Sequence, residues 1–251
     1  MEGTETKRPL VFINAAMSVD GKIASTERSH LKISDEEDLE RVDRLRAEVD
    51  AIVVGGKTLL NDNPRLTVRS RALRRERKSR GLESDPIKVV VTGSGNVPLD
   101  SSFVLEGEGP KFVFTTERAD KEMIRSLSRV AEVFVVGEDS VDFERMLDIL
   151  KEHRVQCVMV EGGATLNFEM IKARVVDEIQ VTISPYIIGG KAAPTLVDGK
   201  GFTRDGIKDL DLISCERCGE SVLVRYRIQY NDVDNATQMS PSCIESKESR
   251  S

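Results

Sequence analysis

Histidine and cysteine, which supply most metal ligands and many catalytic nucleophiles, are scarce in this sequence of 251 residues. The two histidines, His30 and His153, have no cysteine or carboxylate at metal-ligand spacing. The four cysteines are too few and too scattered for a disulfide framework. They are Cys157, Cys215, Cys218 and Cys243. A single Cys-x-x-Cys pair does not complete a zinc site, so we expect no bound metal.

Long hydrophobic runs and an excess of positive charge are also missing. No apolar run approaches the roughly 20 residues that a membrane span requires. The polar stretch Met1–Arg8 lacks the apolar core of a signal peptide. A net charge of −6 provides no attraction for nucleic acid or for an anionic membrane. We therefore expect a soluble, cytoplasmic protein with neither partner.

Three common catalytic motifs are absent as well. The sequence contains no Gly-x-Ser-x-Gly elbow, no P-loop and no Gly-x-Gly-x-x-Gly fingerprint. A serine-hydrolase elbow, a P-loop and a regular Rossmann nucleotide site are therefore not supported.

The chain is 39% hydrophobic and 32% charged, which is enough for a well-buried core. Strand-like and helix-like patterns alternate along it, which favours an α/β protein with a largely parallel sheet. The strand signals are at residues 9–16, 50–54, 87–91, 111–115, 133–136, 156–160 and 176–185. Residues 210–217 and 221–230 predict a final antiparallel hairpin. We expect one domain over 1–230 and a polar, disordered tail over 231–251.

Two local patterns give more specific expectations. Ser34 is predicted to be the N-cap of a helix that continues to about Ala47, with Glu37 completing a capping box. The basic run Arg69–Arg80 has no interleaved aromatic residues and lies in an acidic chain. We therefore interpret this run as a solvated loop and not as a nucleic-acid site.

The most informative stretch is Val160–Phe168, which reads Val-Glu-Gly-Gly-Ala-Thr-Leu-Asn-Phe. It joins a buried strand to a short helix, and its glycines allow a ligand to approach the backbone. Free N–H groups at a helix N-terminus favour an anion, so the pattern is typical of a phosphate-binding turn. A tight packing corner without a ligand is the alternative interpretation.

Three loops at strand ends, residues 16–24, 55–69 and 161–169, bring further polar groups. Their charged residues include the carboxylates of Asp20, Asp62 and Glu161 and the cations of Lys22 and Arg69. Such a set suits a nucleotide cofactor and an anionic substrate that share one cleft. Because it contains no nucleophile–base pair, hydride transfer fits best, since the cofactor then carries the chemistry.

Four segments resemble the motifs of the riboflavin-biosynthesis reductases. They are Asn14-Ala-Ala-Met-Ser-Val-Asp-Gly-Lys-Ile-Ala24, Thr58-Leu-Leu-Asn-Asp-Asn-Pro-Arg-Leu-Thr-Val-Arg69, Glu161-Gly-Gly-Ala-Thr-Leu-Asn167 and the run from Val176 to Gly190. Order and spacing match over about residues 8–230. The chain most resembles the stand-alone archaeal and fungal reductases, and it is similar to the reductase domain of the bacterial bifunctional deaminase-reductase. The resemblance implies a dihydrofolate reductase-like, three-layer α/β fold and a homodimer.

The resemblance also implies NADPH-dependent reduction of the ribosyl group of a ribosylaminopyrimidine 5′-phosphate, with hydride going to C1′ of the sugar. The implied cofactor-binding residues are Ala16, Thr58, Asp62, Gly93, Gly162, Gly163, Ala164 and Thr165. The implied substrate-binding residues are Asn14, Arg46, Leu66, Arg69 and Glu161. Asp62 and Glu161 are candidate proton donors, and solvent is a third source. For Arg46, a cation that complements the helix dipole is an equal alternative.

Substrate choice follows from two differences from the bacterial enzymes. This sequence shows no fused deaminase domain, and it has Asn14 where the bacterial enzymes tend to carry a lysine. We therefore expect the substrate to be 2,5-diamino-6-ribosylamino-4(3H)-pyrimidinone 5′-phosphate, although an amide can both donate and accept. Asn63 replaces a second aspartate that is frequent in the family, and Gly93 replaces a serine.

Two rival functions remain open. A pterin or folate reductase on the same fold would have no phosphate clamp, and Arg69 and Glu161 count against it. A non-catalytic nucleotide-binding regulator would keep the cleft without turnover of the cofactor.

Overall fold

A single nine-stranded sheet organises residues 8–27 and 33–230, which are the residues that this computed structural model describes. The strands are β1 (Leu10–Ser18), β2 (Ala51–Gly55), β3 (Ile87–Val91), β4 (Lys111–Thr115), β5 (Glu132–Val135), β6 (Cys157–Val160), β7 (Glu178–Ser184), β8 (Asp209–Cys218) and β9 (Ser221–Gln229). Their order across the sheet is β5-β4-β3-β2-β6-β1-β7-β9-β8. The first seven strands are parallel, whereas β9 is antiparallel to both β7 and β8.

Helices cover both faces of this sheet. They are α1 (Glu36–Glu48), α2 (Gly56–Asp62), α3 (Arg71–Ser79), α4 (Ser102–Leu105), α5 (Lys121–Leu127), α6 (Phe143–Glu152) and α7 (Ala164–Lys172). Side chains of a strand point alternately to opposite faces, so Val53 joins one core with α6 and α7, and Ile52 joins the other with α1. The predicted three-layer α/β fold, with a mixed, mostly parallel sheet and a C-terminal antiparallel hairpin, is therefore confirmed.

The order of the strands fixes where a ligand can enter. The chain steps outward from β2 through β3 and β4 to β5, and then returns to place β6 on the other side of β2. In open α/β sheets the crevice at such a reversal, outside the carboxyl ends of the strands, is the usual binding site. The loops that follow β2 and β6 diverge at this point.

The predicted start of α1 is wrong by one residue. Asp35, and not Ser34, is the N-cap, and its side chain accepts a hydrogen bond from the backbone N–H of Asp38 at 2.9 Å. Both residue types cap helices well, so spacing alone did not separate them.

The interpretation of residues 69–80 as a solvated loop is also wrong. Ser70 caps α3, and the arginines that follow have high helix propensity. Arg77 is only 3% exposed, and its guanidinium donates to the carbonyl oxygens of Ala47 and Val49 at the end of α1. The basic run therefore anchors one helix to another.

Two of the predictions concern residues that the structure does not describe. The predicted tail at 231–251 and His30 lie outside the described residues. Within residues 8–27 and 33–230, no helix is long and apolar enough to cross a membrane.

Candidate functional site

A cleft of about 1130 Å³ lies at the carboxyl ends of β1, β2, β3 and β6, where the strand order reverses. This volume exceeds the usual upper range for a single small-ligand pocket. Ten of the predicted site residues line it. They are Asn14, Ala16, Arg46, Thr58, Asp62, Gly93, Glu161, Gly163, Ala164 and Thr165. The structure therefore brings together residues that are far apart in the sequence.

The floor of the cleft is the glycine turn between β6 and α7. The N–H of Gly55 donates to the carbonyl oxygen of Gly162 at 2.8 Å, which ties this turn to the end of β2. Gly162 has a φ of 95°, which suits glycine, and its peptide bond to Gly163 is cis. No side chain caps α7, whose N-cap is Gly163. The helix N-terminus therefore offers N–H groups and a positive dipole end to an anion.

The glycines of this region keep the cleft open. A Cβ atom on Gly163 would lie 2.7 Å from the Thr58 hydroxyl oxygen, and one on Gly56 would lie 2.8 Å from Cβ of Thr92. By contrast, a Cβ on Gly93 would meet nothing within 4 Å. A side chain at Gly163 or at Gly56 would therefore collide with Thr58 or with Thr92. The turn has the form of a cradle for a phosphate-bearing ligand.

Arg46 and Glu161 form a bidentate ion pair inside the cleft. Nε and Nη2 of Arg46 each donate to one carboxylate oxygen of Glu161 at 2.8 Å, and Nη1 donates to the carbonyl oxygen of Thr67. Burial disfavours the charge on Arg46, but the neighbouring Glu161 outweighs this and raises the pKa of the guanidinium. Both carboxylate oxygens of Glu161 therefore accept from Arg46. Asp62 and Glu161 as candidate proton donors, with solvent as the third source, stay predictions.

Three predicted site residues do not line the cleft. Leu66 is fully buried in the core beneath α1, with a φ of 54°. Gly162 contributes its carbonyl oxygen to β2 as described above. Arg69 is exposed, and its guanidinium donates to the carbonyl oxygen of Leu39, which itself lines the cleft. Arg69 therefore lies at the rim of the cleft, and its phosphate contact remains a prediction.

The loop after β1 is held by its own charged residues. Asp20 accepts hydrogen bonds from the Ser18 hydroxyl and from the N–H groups of Ile188 and Gly189. These bonds, led by that from Ser18, lower the pKa of Asp20 to about 2. Lys22 donates to the carbonyl oxygen of Ala193 at 3.1 Å. Both charges, which the sequence suggested for a ligand, instead join the loop to residues 186–194.

A polar cluster that no sequence pattern predicted lies at the cleft. Asp38 and Arg41 of α1 meet Asn14 of β1 and Thr182 of β7. Asp38 and Asn14 line the cleft. The available signal was an aspartate on the face of α1 that also carries Val42 and Leu45, where an apolar residue is the usual choice.

Other residues of the cleft were missed because they lie outside the three predicted loops. They are Leu39, Val42, Val141, Phe143, Pro194 and Asp198. In the part of the chain that the structure describes, no group of three or more His, Cys, Asp or Glu residues is placed to hold a metal ion. Cys215 is exposed and Cys218 is buried, and both are free thiols.

A large cleft at the reversal point of a mostly parallel sheet, floored by a glycine turn and an uncapped helix, defines an α/β protein whose cleft suits a phosphate-bearing ligand. The model of the family called RibD C-terminal domain matches residues 9–224. The chain belongs to this family.

Two curated relatives and one solved structure illustrate the similarity. The 2,5-diamino-6-ribosylamino-4(3H)-pyrimidinone 5′-phosphate reductase of Archaeoglobus fulgidus is 44% identical over 88% of this chain and 98% of its own length. The reductase of the same name from Methanothermobacter thermautotrophicus is 41% identical over 88% of this chain and 99% of its own. A pyrimidine reductase-like protein of Corynebacterium diphtheriae superposes with a TM-score of 0.76 over 89% of this chain and 93% of its own, at 22% identity, and supports the fold alone.

Proposed function

We propose that this protein is a reductase of 2,5-diamino-6-ribosylamino-4(3H)-pyrimidinone 5′-phosphate, acting in riboflavin biosynthesis and using NADPH. The observation that carries the proposal is the combination of family membership with a cleft in which ten expected site residues meet. Relatives that carry this activity in their names match nearly their whole length. The cleft volume also suits two ligands together, as hydride transfer requires.

The described residues fit a dinucleotide cofactor. The glycine turn and the uncapped start of α7 suit its phosphates, and Thr58 and Thr165 supply hydroxyls beside them. When bound, the cofactor supplies the hydride that reduces the ribosyl group. Our choice of NADPH over NADH rests on the family resemblance and on the cations of the cleft, Lys57 and Lys172. A comparison of kcat/KM for the two cofactors tests it.

The chain's own groups then orient the substrate. Arg46 is fixed by Glu161 and Thr67, so its position is set before a ligand arrives. We propose that Arg69 at the rim meets the 5′-phosphate, because a guanidinium presents a fixed fork of donors. Asp62 on α2 also lines the cleft and is our candidate for the proton donor.

The test is oxidation of NADPH by the purified protein, followed by the loss of the near-ultraviolet absorbance of reduced nicotinamide. We expect turnover with the diaminopyrimidinone phosphate and none without it. Binding of NADPH without turnover of this substrate would contradict the proposal. Dihydrofolate tried in the same assay would then separate a pterin reductase from a nucleotide-binding regulator.

We also propose that the protein is a homodimer. Strand β8 is an edge of the sheet that is ten residues long, and Leu210 and Leu212 on it are 42% and 59% exposed. Natural proteins rarely leave an apolar edge of this length uncovered. Light scattering coupled to size exclusion tests this, and a monomer at micromolar concentration would contradict it.

A further inference from the structure

Asp38 is a buried carboxylate at the wall of the cleft. Its side chain is only 1% exposed, yet it belongs to the residues that line the cleft. Burying a carboxylate is costly unless its oxygens are hydrogen-bonded, so each oxygen requires a partner.

The two carboxylate oxygens of Asp38 differ in their hydrogen-bond partners. Oδ1 accepts three hydrogen bonds, from Nε of Arg41 at 3.0 Å, from Nη2 of Arg41 at 2.9 Å and from the Thr182 hydroxyl at 2.7 Å. Oδ2 is buried and accepts no hydrogen bond from the described residues. The carboxylate is thus held rigidly through one oxygen, and the other is left with its full capacity to accept.

The side chain of Asn14 lies beside Asp38, and it has a donor left for a ligand where Asp38 has an acceptor. Its Oδ1 accepts from Nη2 of Arg41 at 2.9 Å, and an arginine can only donate. The amide therefore has its N–H₂ group left for a ligand, which suits a carbonyl oxygen and not an amino group. For this reason Asn14 does not by itself explain a preference for an amino-bearing base, as the sequence analysis had suggested.

We propose that Asp38 is the residue that selects the base, by accepting through Oδ2 a hydrogen bond from the 2-amino group of the substrate pyrimidinone. This inference rests on the proposed function. The deaminated counterpart of the substrate has a carbonyl oxygen at that carbon, and two acceptors cannot satisfy each other. A buried polar group that is left without a partner costs free energy, so the complex with the wrong ligand is strongly disfavoured. Arg41 and Thr182 act as positioning residues, because the hydrogen bonds of their side chains go to Asp38, to Asn14 and to each other. Nη1 of Arg41 is buried without a hydrogen-bond partner among the described residues.

The wild-type protein provides the first test, with three substrates that differ only at C2. These are the diamino compound, its deaminated counterpart and an analogue with hydrogen in place of the 2-amino group. A hydrogen bond to a charged acceptor corresponds to a fold-change of about 10–100 in kcat/KM. We expect at least this loss for the hydrogen analogue and a larger loss for the carbonyl compound. Equal kcat/KM for the diamino and hydrogen compounds would overturn the inference without any variant.

The variant Asp38→Asn tests the residue itself. Asparagine keeps the shape and one acceptor, and it adds a donor that can meet a carbonyl oxygen. We expect kcat/KM for the diamino compound to fall about 10–100-fold and the ratio of diamino to deaminated turnover to fall with it. The matched control is Asp43→Asn, since Asp43 is a buried carboxylate on the same helix that caps the N–H groups of Arg69 and Ser70.

The outcomes separate the two proposals. If Asp43→Asn lowers both activities together and Asp38→Asn changes their ratio, the inference is supported. If folded Asp38→Asn loses both activities in proportion, the inference is overturned and the reductase assignment stands. If the wild-type protein turns over none of the three compounds, the proposed function fails and the inference fails with it.

Discussion

The ion pair between Arg46 and Glu161 allows a quantitative prediction. Arg46 lies on α1 and Glu161 follows β6, so the pair joins a helix on one face of the sheet to the turn that forms the cleft floor. The two side chains are 17% and 13% exposed. Removal of one partner from a fully buried pair costs about 3–5 kcal/mol, whereas exposed pairs contribute about 0–1 kcal/mol. With the remaining exposure taken into account, we expect Glu161→Gln to lower the free energy of unfolding by about 2–3 kcal/mol.

The chain offers a matched control for this substitution. Arg80 and Glu48 form an arginine–glutamate pair at 3.1 Å, with side chains that are 34% and 30% exposed. We expect Glu48→Gln to cost less than about 1 kcal/mol. Urea unfolding of the ligand-free variants, followed by circular dichroism, measures both values. If Glu161→Gln costs no more than Glu48→Gln, the argument that burial strengthens this pair is refuted.

A double substitution separates loss of the pair from exposure of an unpaired charge. Arg46→Met combined with Glu161→Gln removes the stranded guanidinium while it keeps an aliphatic chain of similar length. Much of the cost of a broken buried pair is the charge that is left behind. We therefore expect the double variant to be more stable than Glu161→Gln alone. A double variant that is no more stable than Glu161→Gln would show that the guanidinium finds water or another partner in the single variant.

Three further predictions concern the cleft, its first loop and the core. Gly163→Ala places a methyl group against the Thr58 hydroxyl, so we expect the Kd for NADPH to rise at least tenfold with little loss of stability, and an unchanged Kd by fluorescence titration would contradict this. Asp20 has its pKa lowered to about 2, so its stabilising contribution is present above its unfolded pKa of about 3.9 and is lost as the pH falls towards 2. Asp20→Asn should therefore flatten the decline of stability between about pH 4 and 2, and an unchanged acid profile would refute this role. Burial lowers the pKa of Lys88 to about 8, so the folded state binds fewer protons than the unfolded state between about pH 8 and 10.4, and stability should rise with pH there. Lys88→Met should abolish that rise, and a rise that persists in this variant would exclude Lys88 as its source.

The rigidity of the cleft follows from backbone contacts that span neighbouring strands. The N–H of Glu161 donates to the carbonyl oxygen of Val53, and the N–H of Gly55 donates to Gly162. These bonds extend the pairing of β2 and β6 beyond the strands into the turn. A ligand at this turn therefore meets a surface that is already formed, which reduces the entropy lost on binding.

The sequence by itself determined most of the architecture. Strands at Ile87–Val91 and Lys111–Thr115 begin and end as their apolar runs predict, because buried parallel strands are continuous hydrophobic stretches bounded by polar residues. The hairpin of β8 and β9 follows from alternation on either side of Gly219, whose φ of 59° suits the turn. The glycine turn at residues 161–163 was also recognisable, because strand, glycines and helix start are local features.

Only the tertiary structure decided the partners of the charged residues. The sequence suggested solvent-exposed or ligand-facing charges at Arg77, Asp20 and Glu161. Each is instead hydrogen-bonded to a group far away in the chain, at separations of 30, 168 and 115 positions respectively. Asp38 was one acidic residue among several at the start of α1. Its burial, and the one oxygen that it leaves unpartnered, depend on where Arg41, Asn14 and Thr182 meet. Periodicity specifies which face of an element is buried, but hydrogen-bond partners across the sheet are fixed only when the strands are ordered.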